Sequence, residues 1–441
     1  MVRYLCSAFA ATAIAIFCLA SPASAWSTSD GAVSIHSTSG YGGSVPAVQV
    51  DSAGNIYACG YFRTANGSGD VDPNPAVTVN VTVTGLNSSV VSKYSPSGNL
   101  LWYVVLDADD DDQILDCALN DSGDYLAVAG KFKGTMNFPN KPDIASAGGY
   151  DAYIALISTS TSTTSTTAPN GVAWGKTLGG TGNDEATGVD FSASTSIYVG
   201  GHFTGTADVD WKTTSTDDRT SAGSEDSFLS KFGGSGGTLK WTKTWGGANK
   251  DVAYDVVVDR DNNDIYIGGF TGATEADFDP DPDDEVYVGG ANARGGYDSY
   301  ISKFDPMGDL QWAKNFGSSS HDRIDGMAAA GGKVYASGYQ TGAGTNGNWQ
   351  AKDGEPAITT SSTSYDPFVL KMNSSAKTLW VKVVGGTGTS HVPTGKAVAI
   401  DGSGNVYTAG HYRGTADLDS GSGTAMFTST TSNKNEVFLL K

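Results

Sequence analysis

Carboxylates are the residues in this sequence whose type and spacing could do chemistry. An aspartate recurs ten positions after a tryptophan, as Asp112, Asp184, Asp251 and Asp322, with His36 and Ser390 at the same offset elsewhere. A second series has the form Asp-x-Asp, at Asp70 and Asp72, Asp208 and Asp210, Asp277 and Asp279, and Asp417 and Asp419. Its densest copy continues through Asp281 and Asp283. Alternate carboxylates close to glycine supply hard oxygens of the kind Ca²⁺ takes, six to eight at a time. The same recurring aspartate also suits a turn cap that accepts backbone N–H groups. The residues leave both readings open, and no complete EF-hand pattern favours the metal.

The first series has two uses as well. On loops, Asp112, Asp184, Asp251 and Asp322 would present an acidic face to a glycan or protein. As acid and base, the same residues would serve a hydrolase or lyase acting on polysaccharide, and that requires two carboxylates in differing environments within one cleft. Two tryptophans in variable loops, Trp211 and Trp349, are the candidates for exposed stacking contacts. His36, His321 and His391 fall near the same loops, while His202 and His411 take a strand position held elsewhere by Phe and Tyr. No nucleophile motif, phosphate loop or paired cysteine ligand set is present, so no catalytic residue is assigned. Gly179-Gly180, Gly246-Gly247 and Gly385-Gly386 have no helix after them and read as turns.

These residues are carried by a repeat. Matching tryptophans stand at Trp26, Trp102, Trp174, Trp241, Trp312 and Trp380, about seventy residues apart. Each interval holds a hairpin, as in AYDVVVD and DIYIGGF around a polar turn, or AVAIDGSGNVYTAG. A longer loop follows, then a second hairpin such as SYISKFDPMGDLQWAK. Four strands in each of six units predict one closed all-β propeller over residues 26–441, made of four-stranded blades. The chain stops at EVFLLK, a third strand, and residues 26 onward supply a lone tryptophan strand, so the N-terminal strand is expected to complete the last blade and cover two edges.

The repeats resemble the secreted β-propeller repeat called the seven-bladed, or SBBP, type. The resemblance is carried by W-x-K-x-x-G-G before an acidic residue, D-x-x-G-N-[IV]-Y, G-T-A-D-[FVL]-D and D-[AS]-[FY]-[LI]-x-K. It spans residues 26–441 and departs from the family in its count of six units. It implies a surface or exported protein with a binding or scaffolding role.

Compartment is legible at the N-terminus. Arg3 precedes an apolar run from Leu5 to Leu19 and then Ala23-Ser24-Ala25, the pattern of a signal peptide over residues 1–25. A secreted, cell-surface or periplasmic protein, monomeric and without a further membrane span, is the expectation. Cys59 and Cys117 would then meet in an oxidising compartment, as a disulfide between adjacent units or as two small buried side chains. A net charge of −20 disfavours nucleic acid as a partner. The expected function is thus an exported, non-catalytic propeller whose acidic loop face binds a glycan or protein, with Ca²⁺ as a candidate stabiliser.

Overall fold

The computed structural model describes residues 36–37, 43–63, 68–72, 79–82, 84–160, 171–211, 216–272, 276–281, 283–284, 286–288, 296–317, 320–341, 365–386, 394–419, 425–429 and 436–441. The signal sequence, Trp26, Trp349, Ser390 and His391 lie outside the described residues.

Alternation of apolar and polar residues produces strands almost throughout; among the described residues the only helix is a short 3-10 turn, Gly234–Gly236. The strands form six blades, and the protein is an all-β, six-bladed propeller. Blade 1 runs Gly43–Val50, Ile56–Arg63, Asn87–Tyr94 and Leu100–Ala108. Blade 2 runs Asp111–Leu119, Tyr125–Lys133, Asp151–Ser158 and Val172–Gly180. Blade 3 consists of Glu185–Phe191, Ile197–Phe203, Asp226–Gly233 and Thr238–Gly247. Blade 4 follows with Asp251–Asp259, Asp264–Gly272, Tyr297–Phe304 and Leu310–Phe316. Blade 5 contains Arg323–Ala329, Lys333–Thr341, Tyr365–Asn373 and Thr378–Val383. Blade 6 shows three strands, Thr394–Ile400, Val406–Tyr412 and Glu436–Leu440.

Each blade is an antiparallel meander, and its first strand packs against the first strand of the next. A register shift recurs at one place in these inner strands, for example between Ala253 and Asp255 and between Ile324 and Gly326. Such a bulge re-aims one side chain and sharpens the local bend.

The long loop is more ordered than the sequence predicts. It folds into a small hairpin that laces onto the outer strand of the preceding blade. Thr206–Asp208 pairs with Asp218–Thr220 and also with Gly179 and Gly180; Ala276–Asp277 pairs with Gly246 and Gly247. The glycine pairs are therefore strand residues and not turns. A Cβ on Gly180 would run into the carbonyl oxygen of Thr206, which is why the strand ends in glycine. His36 and Ser37 pair with Asp70 and Gly69 in this same manner. His36 thus occupies the position of Gly179 and Gly246, not that of Asp184 and Asp251. This pairing also brings the N-terminal segment to the place where an outer strand of the blade before blade 1 would end.

The cores lie between blades. Trp102 is fully buried against Tyr57, with ring centroids 6.0 Å apart, and Trp312 donates to the Ser374 carbonyl of the next blade at 2.9 Å. The motif lysines cover the second-strand tyrosines: Lys93 lies 4.8 Å from the Tyr57 ring and Lys371 lies 5.1 Å from the Tyr335 ring. Cys59 of blade 1 and Cys117 of blade 2 are buried and joined as a disulfide, which covalently ties the two blades.

Candidate functional site

The first carboxylate series sits inside the blade junctions. Asp112, Asp184, Asp251 and Asp322 are each at most 1% exposed. Asp184 accepts from the Gly180 and Thr204 amides, both at 2.9 Å. Asp112 does the same with Ser89 at 2.6 Å and Ala108 at 2.8 Å. Asp251 takes the Gly247 amide at 2.7 Å and the Thr271 hydroxyl, and Asp322 takes the Thr341 amide at 2.9 Å. Each carboxylate stitches the corner where the chain passes from one blade to the next by accepting hydrogen bonds there. Burial raises the pKa of Asp112, Asp184 and Asp251, and Asp184 is pushed up to about 7.

A second buried aspartate stands at the start of the third strand of four blades, at Asp151, Asp226, Asp298 and Asp366. Asp151 raises the pKa of Asp184, and Asp251 raises that of Asp226, so the carboxylates at a junction lie within electrostatic reach of each other. Burial, the larger cause, pushes Asp151 up to about 6 and Asp226 up to about 7.

The Asp-x-Asp series closes turns. In each of four hairpins the first aspartate accepts two backbone amides: Asp70 from Asp72 and Val79, Asp208 from Asp210 and Asp217, Asp277 from Asp279 and Val286, Asp417 from Asp419 and Ala425. Asp279 and Asp281 accept from the amides of Asp281 and Asp283, so the acidic run is a ladder of side-chain turns. Among the described residues no three His, Cys, Asp or Glu side chains converge to hold a metal ion.

Trp211 is 3% exposed. Its indole N–H donates to Ser230 at 2.8 Å and its ring meets Phe232 edge-on at 5.5 Å, so it belongs to the core of blade 3.

Among the described residues a cleft of about 230 Å³ lies between blades 4 and 5, lined by Lys250, Tyr254, Phe270, Tyr297, His321, Asp322, Arg323 and Tyr339. Two of these, His321 and Asp322, are residues the repeat pattern singles out. Tyr297 is itself repeated, as Tyr150 and Tyr365 ahead of the corresponding aspartates of blades 2 and 5, and the others depart from the repeat. Pairing registers put Arg323 where blades 2, 3 and 4 carry Gln113, Glu185 and Val252, and Tyr339 where they carry Lys131, His202 and Phe270. An alignment of the six units by strand register would have found them; alignment by tryptophan alone does not.

The bulge places Tyr254 beside Arg323, whose guanidinium lies 4.8 Å from the Tyr254 ring and 5.0 Å from the Tyr339 ring. Asp325 holds it at 2.7 Å, and Tyr254 accepts from it at 3.3 Å. Its Nε has no hydrogen-bond partner among the described residues. Asp325 raises the Arg323 pKa against the opposing effect of burial, so the guanidinium stays charged. Across the cleft Lys250 is ion-paired with Glu225. Phe270 and Tyr297 pack as tilted rings with centroids 4.6 Å apart, and exposed His321 lies against Tyr297 in the same way at 5.0 Å. The walls thus combine apolar ring faces with fixed cations, a surface suited to a ligand that is flat and apolar on one side and polar at its rim.

The chain matches no family model and no curated protein. Among solved structures it is similar to a europium-containing methanol dehydrogenase at 10% identity, over 84% of this chain and 80% of that one, with a TM-score of 0.32. That likeness carries no argument about chemistry.

Proposed function

We propose that this chain is an exported, non-catalytic propeller of the SBBP repeat type that binds an extracellular glycan in the cleft between blades 4 and 5. The observation that carries the reading is the group of rings Tyr254, Phe270, Tyr297 and Tyr339 around an already positioned Arg323. A sugar ring has an apolar face that stacks on aromatic rings and a rim of hydroxyls that needs donors and acceptors, and tyrosines offer both. Export is supported by the charged and apolar N-terminal sequence and by the buried Cys59–Cys117 pairing. The binding surface moves from the acidic loops to this cleft, because the corner aspartates spend their oxygens on backbone amides. A calcium role has no convergent ligand set to rest on among the described residues. For the same reason catalysis by paired carboxylates has little support: of the four corner aspartates only Asp322 lines the cleft, and it is buried.

A glycan array probed with the mature protein tests the proposal. Binding that Tyr297→Ala lowers at least tenfold is expected; no glycan bound, or binding indifferent to Tyr297→Ala, would overturn it.

A further inference from the structure

We infer that the glycan this cleft takes is acidic, and that the unit seated in it is a carboxylated pyranose, a uronic-acid residue of a polysaccharide. The inference deepens the binding reading above and depends on it.

Size comes first. A cavity of about 230 Å³ falls below the roughly 300–1,000 Å³ of sites that enclose drug-sized ligands, so it admits one sugar-sized unit of a longer chain. Ring stacking explains the aromatic wall but not the charge. In a protein of net charge −20, the lining residues include the cations Lys250 and Arg323 against a single carboxylate, Asp322. Asp322 is fully buried and engaged with the Thr341 amide, which leaves the cations to face the opening. Glu225 and Asp325 stand beside Lys250 and Arg323 and bond to them. Those pairs orient the cations and do not exhaust them: an ammonium has three donors and a guanidinium five. The planar head of Arg323, held between two tyrosine rings, cannot swing away. A fixed guanidinium edge beside a stacking surface matches a carboxylate attached directly to a pyranose ring, where charge and ring face are rigidly related.

A neutral sugar would bring no charge to the accessible part of the Arg323 guanidinium and to Lys250, the kind of mismatch that a site uses to reject a ligand. Hydrogen bonds involving a charged group are worth about twice a neutral one, so discrimination of about tenfold or more is expected.

Titration calorimetry on the full mature chain tests this with oligogalacturonate, oligomannuronate and oligoglucuronate, each as the free acid and as its methyl ester. The ester keeps the ring and removes the charge. At least one free acid is expected to bind, about tenfold or more above its ester, and Lys250→Gln is expected to weaken the acid more than the ester. Arg323→Lys should do likewise, and its thermal melt shows whether the blade has held. Equal binding of acid and ester, both lowered by Tyr297→Ala, would overturn the acidic ligand while leaving the glycan cleft intact. Binding of neutral or sulfated glycans in place of all three uronates has the same consequence. If no glycan binds, both readings fall.

Discussion

The junction between blades 2 and 3 and the junction between blades 4 and 5 share one corner and one tyrosine, Tyr150 or Tyr297, and differ at two positions. In the first, Lys131 on the second strand bonds Glu185 of the next blade at 2.8 Å, and Tyr150 lies over the lysine at 5.0 Å. In the second, the equivalent residues are Phe270, Arg323 and Tyr297. Replacing the lysine by phenylalanine and the glutamate by arginine removes the ion pair from these two places. The arginine turns instead to Asp325 and two tyrosine rings, and a cleft opens. The intervening junction, with His202 and Val252 at two of these places, is closed by Glu225 and Lys250. The repeated residues build the scaffold and supply Tyr297, and departures such as Phe270 and Arg323 open the site beside it.

The comparison can be broken at the shared corner. Asp184→Ala and Asp322→Ala should each cost about 2–5 kcal/mol in denaturant unfolding, because buried amides lose their acceptor at about 1–3 kcal/mol apiece. A neutral Asp322→Ala would show that the two corners are not equivalent.

It is sharpened by grafting. Phe270→Lys with Arg323→Glu transfers the ion pair of the closed junction into the open one. Glycan binding should fall more than tenfold while the melting temperature stays within a few degrees, since a partly exposed pair contributes about 0–1 kcal/mol. Retained affinity would mean that the ligand sits elsewhere.

Titration separates the closed junctions from the rest by a smaller effect. The folded pKa values of Asp151, Asp184 and Asp226, at about 6, 7 and 7, are raised above the ordinary 3.8. A group raised on folding holds its proton more tightly in the folded state, so its contribution is fully present below about pH 4 and is lost as pH rises through about 7. Melting temperature should therefore decline between those limits, and Asp151→Asn with Asp226→Asn should flatten the decline. A melting temperature that rises over this range contradicts the burial assigned to these carboxylates. The smallest effect belongs to the acidic hairpins: excess chelator should leave the melting midpoint unchanged, and a drop would restore calcium to Asp277, Asp279, Asp281 and Asp283.

Much of the fold was legible because repetition is a one-dimensional signal. The spacing of Trp102, Trp174, Trp241, Trp312 and Trp380, with two hairpins in each interval, identifies four-stranded blades without reference to any contact. The small hairpin on the preceding blade was not legible, since Ala276–Asp277 pairs with Gly246 and Gly247 about thirty residues away and shows no alternation of its own. Trp211 was misplaced for a related reason. Its position in a variable loop says nothing of the φ of 55° that turns it back onto Phe232.

What the sequence alone determined about this protein is the number of units, the order of their strands and the place of their turns, because local alternation and turn chemistry act within a few residues. Only the tertiary structure decided which aspartates are buried and what lines the cleft. Asp322 is a corner cap because the Thr341 amide arrives from another strand, and Arg323 meets Tyr254 because two blades stand side by side. Burial and cross-blade distance arise from the packing of whole blades, and no stretch of residues carries them by itself.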